Sequence, residues 1–307
     1  MLEIITGGAL STVQDAGRFG SMKNGFTQSG VMDPHAAKTA NALLKNDPGA
    51  PVIEMTMKGL TAWFTSETFF CLSGGVFKAK LNDMPVNNNT VYKADKNDII
   101  SVGNAISGMR CYLAVSGGFS VPAVMGSAST NLKIGAGGYE GRKLRTYDKI
   151  DYPAPAGNPE GRSAEIPLYG SDTILIRAVP GPQSDMFDEE TLGRFYGEIY
   201  TVTSDLDRMG IRLEGPELKG ISGNDIISDG IVFGSVQIPN SGKPIILMAD
   251  HQTTGGYAKI ATVASSDLPK LAQAKPGNKI RFSRITVEEA EELAIKKKKY
   301  IEDLLNS

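Results

Sequence analysis

Histidine is scarce in this chain: 307 residues contain two, His35 and His251. A metal site built from several histidines is therefore excluded, and any Ser-His-Asp device would have to use one of these two. Cysteine is equally rare. Cys71 and Cys111 both sit in apolar, strand-like runs (Phe69–Leu72 and Met109–Val115), and no C-x-x-C pair occurs. Buried free thiols in a reducing compartment are the expectation, with a disulfide as the alternative, since nothing in the sequence fixes their distance. Basic excess is missing too, with Lys+Arg 32 against Asp+Glu 34 and a net charge of -2. Non-specific nucleic-acid binding needs a basic footprint and is not expected. The one basic run, Lys296–Lys299, lies between Glu288–Glu292 and Glu302–Asp303 and reads as a solvated helix face. No run approaches the ~20 apolar residues that span a bilayer. The opening MLEIITGGAL lacks the basic and apolar regions of a signal peptide, so a cytoplasmic protein is expected. No G-x-x-x-x-G-K-[ST] loop is present, since Gly242–Lys243 is followed by Pro244. The run Gly135–Gly141 (GAGGYEG) has the wrong spacing for a dinucleotide loop.

What is present is glycine, 35 residues, with 16 prolines, and between them short apolar runs. Phe69–Leu72, Ile99–Val102, Cys111–Val115, Ile174–Val179, Ile199–Val202, Ile245–Met248 and Lys279–Phe282 start and stop at turn signals. That is the pattern of many short strands, hence a sandwich or barrel. Asn82–Asp83 and Asn240–Ser241–Gly242 read as hairpin turns. Two helices stand out. Asp33–Pro34 offers an N-cap and a first-turn proline ahead of Ala36, Ala37, Ala40, Leu43 and Leu44, with Asn46 and Pro48 as the stop. Thr286 and Glu289 form a capping box for a C-terminal helix. A short helix is expected near Asp188–Phe195. The segment Asp151–Pro167, rich in Pro, Gly and Ala, is the best linker and divides the chain into domains 1–155 and 165–307.

Several clusters carry chemistry. Ser11–Pro34 packs Gln14, Asp15, Arg18, Ser29 and Asp33 among four glycines, with neither helical nor strand periodicity, as a binding loop does. Pro180–Gly181–Pro182 forms a rigid turn that holds Gln183, whose amide both donates and accepts and so suits a ureido or lactam group. The plain alternative is a structural corner. Arg208, beside Gly210, is placed either to clamp a carboxylate or to pair with Asp205 or Asp207. Asp250, His251, Gln252, Thr253, Thr254 and Tyr257 follow the apolar strand Pro244–Met248, with Gly255–Gly256 allowing close backbone approach. Met57–Lys58 in EMTMKG has Gly59 where a biotin-attachment hairpin has its second Met, and is not read as a carrier lysine.

Taken in order, TVQDAGRFG, SGVMDP, LAVSGG, GSAST, PGPQ, RMGIRLEGP, SDGIVFGSVQIP and DHQTTGGYAKIATV run from residue 12 to about 284. In these motifs the chain resembles the 5-oxoprolinase C-subunit family, also known as biotin-dependent carboxyltransferases and KipA-like proteins. The resemblance implies a mainly β fold of two cyclophilin-like open β-barrel domains facing a shared cleft, with a few helices including a C-terminal one. It implies one subunit of an enzyme that works with an A subunit and a KipI-like B subunit to open 5-oxoproline to L-glutamate at the expense of ATP. The ATP is expected to bind on a partner chain, since this one shows no recognisable motif. The free-standing length, without an attached biotin carboxylase or carrier, favours this reading. The alternatives it implies are a biotin-dependent carboxyltransferase acting on a urea-like amide, and a non-enzymatic antagonist that binds a kinase-inhibitor protein. Under it, Asp15, Arg18, Asp33 and Asp250 are the catalytic candidates. Ser29, Gln183, Arg208, His251, Gln252, Thr253, Thr254 and Tyr257 are the substrate-binding ones. Arg18 and Arg208 would neutralise anionic groups, and Asp15 and Asp33 would orient or deprotonate an amide nitrogen. Asp33 has a competing role as helix N-cap. His251 stands where relatives often carry Arg and is expected to line the site.

Overall fold

The structure, a computed structural model, describes all residues of 1–307 except 168, 170 and 172. The chain divides into two compact units. The first comprises Met1–Phe19, Ser29–Gly170 and Lys298–Ser307, and the second Gly20–Gln28 and Ser171–Lys297.

The first unit contains β1 (Leu2–Thr6), β2 (Leu10–Gln14), α1 (Pro34–Leu43), β3 (Val52–Thr56), β4 (Thr61–Phe64) and β5 (Thr68–Leu81). β6 (Met84–Pro85), β7 (Val91–Ala94), β8 (Ile99–Val115) and β9 (Lys149–Ile150) complete it. These strands form one curled sheet in the order β2-β3-β8-β4-β1-β9, with β5 paired to β8, β7 and β6. Two of the apolar runs, Ile99–Val102 and Cys111–Val115, prove to be the ends of the single strand β8. The pairing of β5 with β8 shifts register three times between Gly74 and Ala79. Bulges of this kind let a long strand bend rather than end. The run Cys111–Val115 is buried on both faces. Cys111, Leu113 and Val115 pack into the interior of the curl with Leu2, Phe64 and Phe70. Tyr112 and Ala114 pack beneath Ala36, Ala37, Ala40 and Leu43 of α1. A strand covered on both sides reads as continuously apolar, which is why alternation is invisible there.

α1 starts as its sequence predicts: the Asp33 carboxylate accepts from Ala36 N at 2.9 Å, with Pro34 in the first turn. Its C-terminal end is held by Arg162, whose Nη1 donates to Ala42 O at 2.9 Å and also to Leu43 O. Thr90 and Ser163 form a β-bridge. The Pro- and Gly-rich segment read as a linker is thus fastened along part of its length to the first unit. Both cysteines are buried free thiols, and burial pushes the Cys111 thiol up to about 12.

The second unit contains β10 (Thr173–Pro180), α2 (Glu189–Gly197), β11 (Ile199–Leu206), β12 (Gly210–Glu214), β13 (Asp225–Gly230), β14 (Ser235–Ile238) and β15 (Ile245–Leu247). β16 (Thr254–Val263), α3 (Leu268–Ala272), β17 (Lys279–Arg284) and α4 (Val287–Asn306) follow, with Lys298–Ser307 grouped in the first unit. Strand order is β10-β17-β11-β12-β15-β14-β16-β13, and β10 also pairs with β16, which closes a seven-stranded ring. β17 alternates strictly, with Ile280 and Phe282 inward and Lys279 and Arg281 outward. Phe282 stacks on Phe195 at 4.4 Å between centroids, seating α2 on the ring. Thr286 and Glu289 exchange the two bonds of the capping box at the start of α4, 2.8 and 3.2 Å. The mainly β fold with helices, one of them C-terminal, stands as expected. Ring closure in the second unit sets Ala178 opposite Val263, far apart in sequence, and no local pattern announces it. Among the described residues, no helix is long and apolar enough to cross a membrane.

Candidate functional site

In the first unit, Asp15 directly follows β2, and its carboxylate is fully engaged. It accepts from Gly17 N (2.8 Å), Ser127 Oγ (2.7 Å), Ala128 N (2.6 Å) and Ser129 Oγ. An ionised carboxylate has about four lone-pair sites, so these donors leave little capacity for an amide proton. The geometry makes Asp15 the clamp of the loop Ser127–Ser129. Arg18 lies against the same loop, 1% exposed, donating from Nε to Val124 O (3.0 Å) and from Nη2 to Ser129 O (2.8 Å). Ser29 is buried at a φ of 55° and takes a bond from Asn131 Nδ2 at 3.2 Å. Asp15, Arg18 and Ser29 are therefore gathered around the segment 124–131.

Asp33 belongs to a different group. Besides capping α1, its main-chain N donates to Tyr112 Oη at 2.8 Å, and Tyr112 donates in turn to Glu54 Oε2 at 2.9 Å. Glu54 also accepts from Met32 N, 2.8 Å. Asp33, Glu54, Tyr112 and Arg110 are all at most 2% exposed. Burial first, then the carboxylates of Glu54 and Asp33, push the Tyr112 phenol well above its ordinary value, so it remains a neutral donor. The polar members Glu54, Arg110 and Tyr112 escape sequence reasoning because they are embedded in the apolar runs VIEMT and MRCYLAV. A charged residue inside an otherwise apolar strand is the signal that marks them.

In the second unit, Arg208 pairs not with Asp205 or Asp207 but with Asp250. Nε donates to Oδ2 at 2.9 Å and Nη2 to Oδ1 at 3.1 Å, with both side chains 8% exposed. Asp205 instead pairs with Arg212, and Asp207 accepts from Met209 N and Gly210 N, closing its own turn. The fork geometry fixes Asp250 at the end of β15, beyond its last residue. His251 is 1% exposed and shares a 2.7 Å bond between Nδ1 and the carbonyl oxygen of Gln252. A carbonyl only accepts, so Nδ1 carries the proton. Burial depresses its pKa, against smaller raising effects of the Gln252 carbonyl and Asp250.

A second cluster lies along β16. Gln237 on β14 is directly opposite Lys259 on β16, and Asp229 on β13 is opposite Gly255. Lys259 is 2% exposed, and its Nζ meets Asp229 Oδ2 at 2.7 Å. That bond, then the Gly230 N–H and the Gln183 amide, holds the Asp229 carboxyl below its ordinary range. Gln183 donates from Nε2 to Asp229 Oδ2 and accepts the Lys259 main-chain N–H, both at 3.3 Å. Gly181, in the turn that carries Gln183, has no room for a side chain: a Cβ would lie 2.1 Å from Lys259 O. At Gly255 the neighbours are the ends of side chains, which can shift: a Cβ there would lie 2.6 Å from Gln237 Nε2, 2.7 Å from Ile231 Cδ1 and 3.5 Å from Gln252 Nε2. Two side-chain amides thus converge over a bare backbone, and the Gln237 Nε2 is buried without a partner among the described residues. Thr253 is half-buried, while Thr254 and Tyr257 are exposed on β16. Lys259, Asp229 and Gln237 lie in the motifs AKIATV, SDGIV and SVQIP, yet they read there as strand residues. Chemically, a buried ammonium, a bare N–H donor and amides of both polarities suit a neutral carbonyl flanked by N–H, as in an amide.

A family model of the carboxyltransferase domain, subdomains A and B, matches residues 24–284. The chain is similar to the C subunit of 5-oxoprolinase from Escherichia coli K12, 39% identical across 99% of this chain and 97% of that protein. It is 37% identical to the C subunit of 5-oxoprolinase from Haemophilus influenzae over the same shares. Among solved structures, the urea amidolyase of K. lactis superposes with a TM-score of 0.92 at 30% identity over 99% of this chain. The chain spans only 20% of that much longer protein.

Proposed function

We infer the function from one premise: this chain belongs to the carboxyltransferase-domain family, subdomains A and B. On that premise the chain is the C subunit of an ATP-dependent 5-oxoprolinase, which works with partner A and B subunits to convert 5-oxoproline to L-glutamate. The supporting observation is likeness over whole length to two proteins of that name, joined to an array on β16 chemically matched to an amide. The biotin-dependent alternative fits less well, because the urea-directed relatives are less similar and this chain covers only a small part of them.

The second unit would take the lactam over Gly255. The carbonyl oxygen would face Lys259 Nζ and Gln237 Nε2, and the ring N–H would meet an amide oxygen of Gln183 or Gln252. An unstrained lactam resists hydrolysis, and activation at the amide oxygen by a phosphoryl group accounts for the need for ATP. ATP binding is assigned to a partner chain, since this one carries no P-loop sequence. Lys259 and Gln237 would stabilise the negative charge of the phosphoryl group transferred to that oxygen, as preorganised donors do. Asp229 keeps the ammonium oriented. Arg208–Asp250 and the Asp15 clamp act as scaffolds.

The test is reconstitution. Mixed with its two partner subunits, the protein is expected to support glutamate release from 5-oxoproline only when ATP is present. Equal release from a mixture lacking this chain would refute the assignment.

A further inference from the structure

Among the described residues the largest fully buried side chain is a cation, Arg18, and no carboxylate there pairs with it. Its hydrogen bonds there go to the carbonyl oxygens of Val124 and Ser129, both neutral acceptors. Its Nη1 is buried and bonded to none of those residues. Asp15, three residues earlier, is committed to the Ser127–Ser129 donors. A buried guanidinium ordinarily comes paired, because leaving its charge uncompensated is costly. Here the outer edge of the fork, Nη1 together with the second hydrogen of Nη2, is unused.

The glycine run whose spacing excludes a dinucleotide loop lies against this edge. A Cβ on Gly137 would come within 2.7 Å of Arg18 Nη2 and 2.1 Å of Ser129 O, and one on Gly138 would overlap Thr130 Oγ1. Both glycines have positive φ, 71° and 55°, and both are buried. Among the described residues, neither N–H meets an acceptor. Two consecutive N–H groups without an acceptor among the described residues thus belong to the turn that lies against a guanidinium with unused donors.

We propose that Arg18 and the Gly137–Gly138 main chain form a binding site for a small oxyanion, the chemistry shared by a carboxylate, bicarbonate and inorganic phosphate. The planar fork takes two oxygens of such a group side by side, and the glycine N–H groups take the remaining lone pairs. The side-chain-free turn is what lets main chain approach the guanidinium. The residues of the site all belong to the first unit, and the proposal does not depend on the oxoprolinase reading.

Crystals of the full-length protein soaked in selenate, an oxyanion with its own anomalous signal, test the position directly. The expected result is a selenium peak whose oxygens lie within hydrogen-bond distance of Arg18 Nη1 and Gly137 N. A water alone at Nη1 in fully soaked crystals overturns the proposal. In solution, phosphate, bicarbonate and acetate are compared with chloride at equal ionic strength by thermal unfolding. At least one oxyanion should raise the midpoint by several degrees as its concentration passes its dissociation constant. Whichever raises it identifies the source, and equal midpoints in all four salts overturn the site. Arg18→Lys keeps the charge but loses the fork, so the selected anion should bind at least about 10-fold more weakly. If that variant does not fold, the wild-type soak still decides.

Discussion

Replacing Lys259 with Met separates the catalytic role of the β16 array from a structural one. The ammonium-bearing side chain is 3% exposed and meets Asp229 Oδ2 at 2.7 Å, while the Asp229 side chain is 53% exposed. That asymmetry sets the outcome. With Lys259 gone, water can solvate the Asp229 carboxylate, so no buried charge is stranded. Met fills nearly the volume of the lysine stem, and exchanging a buried charge for a matched apolar side chain is often neutral. The thermal midpoint of Lys259→Met should therefore lie within about 4 °C of wild type. Activity should respond very differently. Loss of one preorganised donor to charge carried by the transition state lowers kcat by about 10²–10³-fold. The assay is ATP-dependent glutamate release by the reconstituted three-subunit enzyme, with circular dichroism melting of the isolated chain alongside. Retention of kcat within about 3-fold would refute the reasoning, because a donor aimed at the reacting oxygen would be worth far more. A collapse of the melting transition would refute it in another way, by showing that the pair holds the barrel together.

Three further outcomes follow from the same geometry. Gly255→Ala places a methyl group 2.6 Å from Gln237 Nε2 at an ordinary φ, so the variant should fold while its KM for 5-oxoproline rises; an unchanged KM would remove Gly255 from the site. Asp250→Ala leaves the buried Arg208 without its bidentate partner and should cost about 3 kcal/mol in urea unfolding, with Asp250→Asn costing less. His251 is held neutral by burial with its pKa below the ordinary value, so on acidification the unfolded chain takes up a proton before the folded one does. Its contribution to stability is complete above the unfolded pKa of about 6.5 and is lost as pH falls toward the folded value; His251→Gln should flatten that part of the urea-midpoint profile.

Where the chemistry is local, the sequence announces the structure. The Asp33–Pro34 start of α1, the Thr286–Glu289 capping box and the turn closed by the Gly242 N–H on Pro239 O each satisfy backbone groups within a few residues. What depends on distant partners is not legible. Gly103 and Gly108 look like turn signals but sit in β8, whose bulged pairing with β5 keeps the strand going. The β10–β16 pairing that closes the ring has no local trace. The site divides in the same way. Gln183 and Gln252 stand out because loops display polar residues, whereas Lys259, Gln237, Glu54 and Tyr112 are hidden by their apolar neighbours. Their burial on strands is what makes them informative, since a charge is retained in a core only with a partner or a purpose. Asp15 illustrates the converse. Its setting in a polar glycine loop suggests catalysis, and the structure occupies its carboxylate with four donors from the loop itself and from 127–129.

The most direct measurement is the position of 5-oxoproline in a crystal structure of the assembled three-subunit complex, without ATP. The lactam is expected over Gly255, its carbonyl oxygen within hydrogen-bond distance of Lys259 Nζ and Gln237 Nε2. Ligand density bound entirely by residues of the partner subunits, with the β16 array empty, would contradict the account.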